Sequence, residues 1–96
     1  MARVAEDRLE AVRRYLHDVF PDWALAEGWD GEHEAHTFLL KKPHEPLHLL
    51  KVSRTVLDDF GPRKLAGLLE DRQVARALRK AEKHRVLLTA RGLDPI

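Results

Sequence analysis

The stretch Leu47-His48-Leu49-Leu50-Lys51-Val52-Ser53 constrains this chain more than any other. Read as a strand, it sends Leu47 and Leu49 to one side and Leu50 and Val52 to the other, so apolar side chains leave both faces. A strand of that kind belongs inside its sheet, with a neighbour on each edge. The upstream neighbour is the segment from about Glu32 to Lys42, joined through the turn Pro43-His44-Glu45-Pro46. Pairing Lys42 with Leu47 sets Phe38 opposite Lys51 and His36 opposite Ser53. The downstream neighbour has to be Arg85-Val86-Leu87-Leu88-Thr89, the one later segment with strand character. A helical crossover then makes those two strands parallel, with the right-handed connection favoured.

The remaining elements follow from periodicity. Leu9, Val12, Leu16, Val19 and Phe20, with Ala5 and Tyr15 at the margins, predict an amphipathic helix over 4–20. Glu10, Arg14 and Asp18 are spaced for pairing along its other side, and Pro21 stops it. Period-two alternation places Trp23, Leu25 and Trp29 on one side of a first strand, with Ala24, Ala26 and Gly28 on the other. Asp30-Gly31 reads as a tight hairpin turn into the second strand. In the crossover, Ser53 or Thr55 caps a turn holding Val56, Leu57 and Phe60, and Gly61-Pro62 breaks and restarts the chain. Leu65, Leu68 and Leu69 share one helical face, while Val74, Ala77, Leu78 and Ala81 share another that points the opposite way. A bend is therefore expected near Glu70-Asp71, with Asp71 as a cap. Gly92 and Pro95 end the chain.

The expected fold is a single α+β domain over 1–96. Its order is α-β-β-β-α-α-β: an antiparallel three-stranded meander, a fourth strand beside strand three, and helices packed on the sheet. A mixed four-stranded sheet with helices packed on it accounts for both apolar faces of strand three, and so would a dimer that covers the second face. The expected core comprises Leu9, Val12, Leu16, Phe38, Leu49, Leu50, Val52, Leu65, Leu78 and Leu87.

Composition narrows function mostly by exclusion. There is no cysteine, so disulfides, cysteine–zinc sites and thiol nucleophiles are absent. No apolar run is long enough for a membrane span, and none follows Ala2–Asp7 as a secretory signal would require. A cytoplasmic location is expected. Ser53 is the only serine and lies in no G-x-S-x-G setting, and there is no glycine-rich phosphate loop or H-E-x-x-H. That inventory supplies covalent catalysis poorly, and the chain is expected not to be an enzyme and to need no cofactor. Arginine outnumbers lysine 11 to 6, a bias that a GC-rich genome produces by itself.

Two groups of residues stand out. Residues 1–50 hold 6 basic and 10 acidic residues, net −4; residues 51–96 hold 11 and 6, net +5. In that basic half, a helix from about 72 to 84 places Arg72, Arg76, Arg79, Lys80 and Lys83 within an arc of roughly 100° opposite its apolar face. Such a stripe attracts phosphate backbones through counterion release, and no aromatic residue interleaves it for base stacking. The second group is Asp30-Gly31-Glu32-His33-Glu34-Ala35-His36. In a strand, Glu32, Glu34 and His36 share one face with Asp30 near it, a donor set suited to a divalent cation or, as plainly, a solvated polar strand. No metal site is assigned. His17, His44, His48 and His84 read as surface or half-buried residues.

The order α-β-β-β-α-β resembles the restriction-endonuclease-like core. That resemblance implies an acid at the start of the second strand, where Asp30 or Glu32 stands, and an acid-x-lysine pattern on the third, where Lys51 supplies the lysine. Leu49 stands where the pattern has its second carboxylate, so one ligand for a water-activating metal is missing unless Glu34 substitutes. The order α-β-β-β-α also resembles double-stranded RNA-binding domains, with Gly61-Pro62-Arg63-Lys64-Leu65-Ala66 at the basic entry to the last helix. The function expected first is a small binding or regulatory module working through a protein partner or a homodimer. Nucleic-acid binding through the basic stripe is the alternative, and metal-dependent nuclease activity the remote one.

Overall fold

Five strands form one sheet in the order of their appearance, and helices pack on it in a computed structural model that describes residues 6–96. The elements are α1 (Glu6–Val19), β1 (Ala24–Asp30), β2 (Ala35–Lys41), β3 (His48–Ser53), α2 (Arg54–Asp59), α3 (Pro62–Asp71), α4 (Val74–Lys80), β4 (Arg85–Thr89) and β5 (Gly92–Pro95). Val4 and Ala5, counted in the predicted first helix, lie outside the described residues. β1, β2 and β3 form the antiparallel meander, and β4 lies parallel to β3, pairing Leu50 with Val86 and Val52 with Leu88. β3 is thus interior, as its two apolar faces require.

The register between β2 and β3 differs by one residue from the expected one. Phe38 lies opposite Leu50, Thr37 opposite Lys51 and His36 opposite Val52. The intervening turn sets this: the Glu45 amide donates to the Lys42 carbonyl at 3.1 Å and His44 takes φ 67°, leaving Leu47 outside the ladder. Burial enforces it too, because a one-residue slip would have put Lys51 rather than Leu50 beside the buried Phe38. β2 also starts later than expected, at Ala35. Residues 31–34 form a longer turn, with Glu34 at φ 47°.

Helix boundaries have local causes. The Ser53 hydroxyl accepts from the Val56 amide at 3.3 Å and caps α2. Gly61 is the N-cap of α3 and Pro62 its first residue, where the missing N–H costs nothing. The bend before α4 falls at Arg72–Gln73, with Gln73 in the left-handed region (φ 52°), so Asp71 ends α3 and caps nothing. A strand absent from the expected order, β5, closes the sheet edge through Ala90-Arg91. The Thr89 hydroxyl accepts from the Arg91 amide at 3.2 Å, and Gly92 adopts φ 142°, a conformation open essentially to glycine alone.

One hydrophobic cluster joins Leu9, Val12 and Leu16 of α1 to Leu65, Leu69 and Leu78 of the crossover and to Phe38, Leu40, Leu50, Val52, Val86 and Leu88 of the sheet. All the sheet residues in that cluster lie on one face. Leu49 and Leu87, expected in the core, lie on the other face and are half-buried. Among the described residues, the helices cover one side of the sheet and leave the other uncovered.

Candidate functional site

The uncovered face reads as two adjacent rows across the strands. One runs Ala26, Leu39, Leu49, Arg85; the next runs Gly28, Thr37, Lys51, Leu87, Asp94. Ile96 extends the first row, because its amide donates to the Arg85 carbonyl at 3.0 Å and continues the ladder. Leu47 directly precedes β3, outside the ladder. Leu47 is 54% exposed and Ile96 39% exposed. The face therefore has an apolar middle of leucines with charges of both signs set among them.

Its polar flank is the β1–β2 hairpin. One Asp30 carboxylate oxygen, Oδ1, accepts from the Glu32 amide at 3.0 Å and the His33 amide at 3.4 Å and so shapes the turn. The other, Oδ2, accepts from Lys51 Nζ at 2.6 Å across the sheet. His33 Nδ1 lies 2.7 Å from that same oxygen and 3.2 Å from Lys51 Nζ. A proton on Nδ1 is donated to Asp30; without it, the lone pair faces the ammonium. One ring nitrogen cannot serve both at once. The Lys51 ammonium first, and His33 second, hold the Asp30 carboxyl well below the usual carboxylate range.

This arrangement corrects the expected acidic face. Glu32, His33 and Glu34 belong to the turn rather than to a strand, and His36 points to the helix-covered side. Asp30, Glu32 and His33 offer ligand atoms within 4.8 Å of one another. A divalent ion there would have to take Asp30 from the Lys51 ammonium. Lys51 does not share a face with His36, as the slipped register would have it, but joins Asp30. Leu49, two residues before Lys51, lies on that same face, so an apolar side chain stands where the restriction-endonuclease-like pattern has its second carboxylate.

A separate ion-pair network lies on the other side of β1. Arg13 of α1, not Arg14, carries the pairing: it bonds Glu6, Glu10 and, through both carboxylate oxygens, Glu27 of β1, with Nη2 to Oε1 at 3.0 Å. His36 Nε2 meets the same Oε1 at 3.0 Å. Burial pushes the Glu27 carboxyl up, but the Arg13 and His36 hydrogen bonds outweigh it and hold it below its ordinary value. Glu27 raises the Arg13 guanidinium further above its own, with Glu6 second.

The basic stripe is broken up. The expected helix over 72–84 spans only Val74–Lys80, because Gln73 takes a left-handed conformation and Ala81 leaves the helix at ψ 138°. Arg72 is the C-cap of α3 and Lys83 sits in the turn before β4, leaving Arg76, Arg79 and Lys80 on α4. Arg79 is turned back onto the protein: Nη2 donates to the Val19 carbonyl at 2.9 Å, and the guanidinium lies 4.7 Å from the Phe20 ring centre.

His48, expected at the surface or half-buried, is instead in the interior. It is buried, at 5% exposure, on the helix-covered face at the start of β3, in contact with the rings of Phe20, Trp23 and His84. The readable signal was the alternation His48, Leu50, Val52, which puts all three on one side. Among the described residues no helix is long and apolar enough to cross a membrane. No family model matches this chain, and comparison with curated proteins and with solved structures gives no match.

Proposed function

We propose that this chain is a docking module whose working surface is the uncovered sheet face, and that a second copy of the chain occupies it. The observation behind the reading is the uncovered leucine row, Leu39-Leu49 with Leu87 beside it and the exposed Ile96 at its edge. Contiguous apolar surface of that kind marks interaction sites, because leaving it in water costs free energy that association recovers. Two sheets packed face to face bury such a layer at about 10 Å separation.

The charge pattern selects the occupant. Lys51 and Arg85 stand among the leucines, and Asp30 and Asp94 lie toward the two edges of the same face. A surface holding both signs around an apolar middle suits a partner with the same pattern, which a two-fold related copy supplies. A nucleic acid asks for one sign only, and the bases that could provide it are divided among α3, α4 and the turn before β4.

Sedimentation or light scattering over a concentration series, at two salt concentrations, tests this. The expected mass is twice 11.1 kDa for the wild type and 11.1 kDa for Leu49→Glu, with unchanged circular dichroism. A wild type that stays at 11.1 kDa up to several hundred micromolar overturns the second copy as occupant. Fluorescence anisotropy with duplex and single-stranded oligonucleotides separates the alternative. Five phosphate contacts would give a salt slope of about −4 to −5, and the docking reading expects binding no stronger than that of a near-neutral control protein.

A further inference from the structure

Two imidazoles are stacked at the seam where β3 begins and the chain enters β4. The His48 and His84 rings are 4.7 Å apart and within 11° of parallel. His48 is enclosed: Trp23 lies 4.6 Å away on a tilted plane and Phe20 meets it edge-on at 5.5 Å. Its Nδ1 is buried with no hydrogen-bond partner in the structure. His84 is held from both ends. Its Nδ1 donates to the Leu78 carbonyl at 2.8 Å, and its own carbonyl accepts from the Leu49 amide at 2.8 Å. That last bond ties the start of β3 to the residue preceding β4. The His84 backbone sits at φ 54°, a left-handed conformation uncommon for histidine.

The groups facing His48 come from four sides. Phe20 and Trp23 present rings from the end of α1 and the loop before β1. Arg79 presents positive charge from the α4 side, where His84 presents a second imidazole. Glu45 in the β2–β3 turn presents negative charge, and a backbone hydrogen bond with Leu47 also favours the protonated ring. A proton on His48 therefore enters a desolvated box in which two of its three charged or titratable neighbours are bases. A proton on His84 at the same time would place two cations ring to ring.

We infer that the His48–His84 stack is a proton-operated latch: with both rings neutral it closes the β3–β4 seam, and on protonation the seam opens locally while the rest of the core stays folded. Desolvation comes first; a backbone hydrogen bond with Leu47 opposes it, the charges of His84 and Arg79 add to it, and the His48 imidazole lies below its ordinary value of 6.5. An opened seam hydrates the imidazole and lets it take the proton, so acid favours the open form. The inference stands whether or not the uncovered face binds a second copy.

Amide hydrogen exchange followed by NMR on the full chain tests it. The Leu49 amide, bonded to the His84 carbonyl, reports the seam. The Leu65 amide, bonded to the Gly61 carbonyl in α3, reports the remote core. After correction for intrinsic exchange, the Leu49 protection factor is expected to fall severalfold between pH 7.5 and 5.5, because the open form takes the proton that the closed box resists. Leu65, whose exchange needs the core itself to open, should keep a higher protection factor than Leu49 at both pH values. His48→Phe keeps an aromatic ring in the box and takes no proton, so its Leu49 protection should be flat with pH. His84→Asn retains a residue tolerant of the left-handed backbone and an amide donor for Leu78, and it should reduce the fall even if His48→Phe does not fold. A flat wild-type profile overturns the latch, as does an equal fall in the variants or a Leu65 protection factor no higher than that of Leu49 at pH 5.5.

Discussion

Asp30 uses its two carboxylate oxygens for different purposes. Oδ1 organises the turn through two backbone amides, and Oδ2 holds the Lys51 ammonium at 2.6 Å. All these contacts favour the ionised form, and Lys51 contributes most. The carboxyl carbon shift of Asp30 is therefore expected to remain at its ionised position well below pH 3.8, the ordinary value for the side chain. In Lys51→Met the midpoint should move back up toward that value. A wild-type midpoint at 3.8, or a Lys51→Met midpoint no higher than wild type, would show that the pair does not form in solution. The same residue shows how sequence reading reached part of the site. The dipeptide Asp30-Gly31 correctly located a hairpin, but its tightness was overread. A carboxylate free to bond the amides two and three residues on lengthens the turn, and that competition leaves no trace in hydrophobic alternation.

At the level of elements, the two faces of β3 carry different energies. Leu50 is fully buried against Phe38 and the helices, while Leu49 is half-buried on the uncovered side. Leu50→Ala should destabilise by about 2–5 kcal/mol, as for a buried leucine that leaves a cavity. Leu49→Ala should cost less than about 1 kcal/mol in the monomer, measured by urea denaturation at low protein concentration. Equal losses would mean that both faces are packed within one chain. This contrast also explains what the sequence could reveal. An apolar residue on each side of β3 is enough to demand two neighbouring strands, and β4 duly lies parallel on the far edge. The pattern cannot distinguish a face covered by helices from one left open, because both ask for leucine; hence Leu49 and Leu87 were expected in the core. β5 escaped for a different reason. Gly92-Leu93-Asp94-Pro95 is short, has low strand propensity and follows the turn Ala90-Arg91, whose residues carry no turn signature. The helix expected over 72–84 is shorter at both ends, where a left-handed Gln73 and the early exit at Ala81 cut a run that helical periodicity alone would continue.

Across the whole molecule, the perturbed side chains of Asp30, Glu27 and His48 push stability the same way with pH. Asp30 and Glu27 have folded values lowered from 3.8 and 4.5, so the unfolded chain binds their protons first. Their stabilising contribution is complete above those ordinary values and is lost as pH falls through the lowered ones. His48 is a base lowered from 6.5, and again the unfolded chain takes the proton more readily. No penalty exists above about that pH; it grows as pH falls below 6.5 and levels off only once the folded value is passed. Linkage therefore predicts stability that rises from acid to neutral pH in two stages: a carboxylate stage at the acid end and a histidine stage below neutrality. Urea midpoints measured at pH 7.5, 5.5, 4.5 and 3.0 should fall at each acid step. His48→Phe should flatten the interval from 7.5 to 5.5 and leave the lower one sloped. Glu27→Gln should reduce the slope below 4.5, since it removes the carboxylate that Arg13 and His36 hold ionised. A midpoint that rises as the solution is acidified from 7.5 would contradict the buried neutral histidine, and one that is flat from 4.5 to 3.0 would contradict both carboxylate pairings.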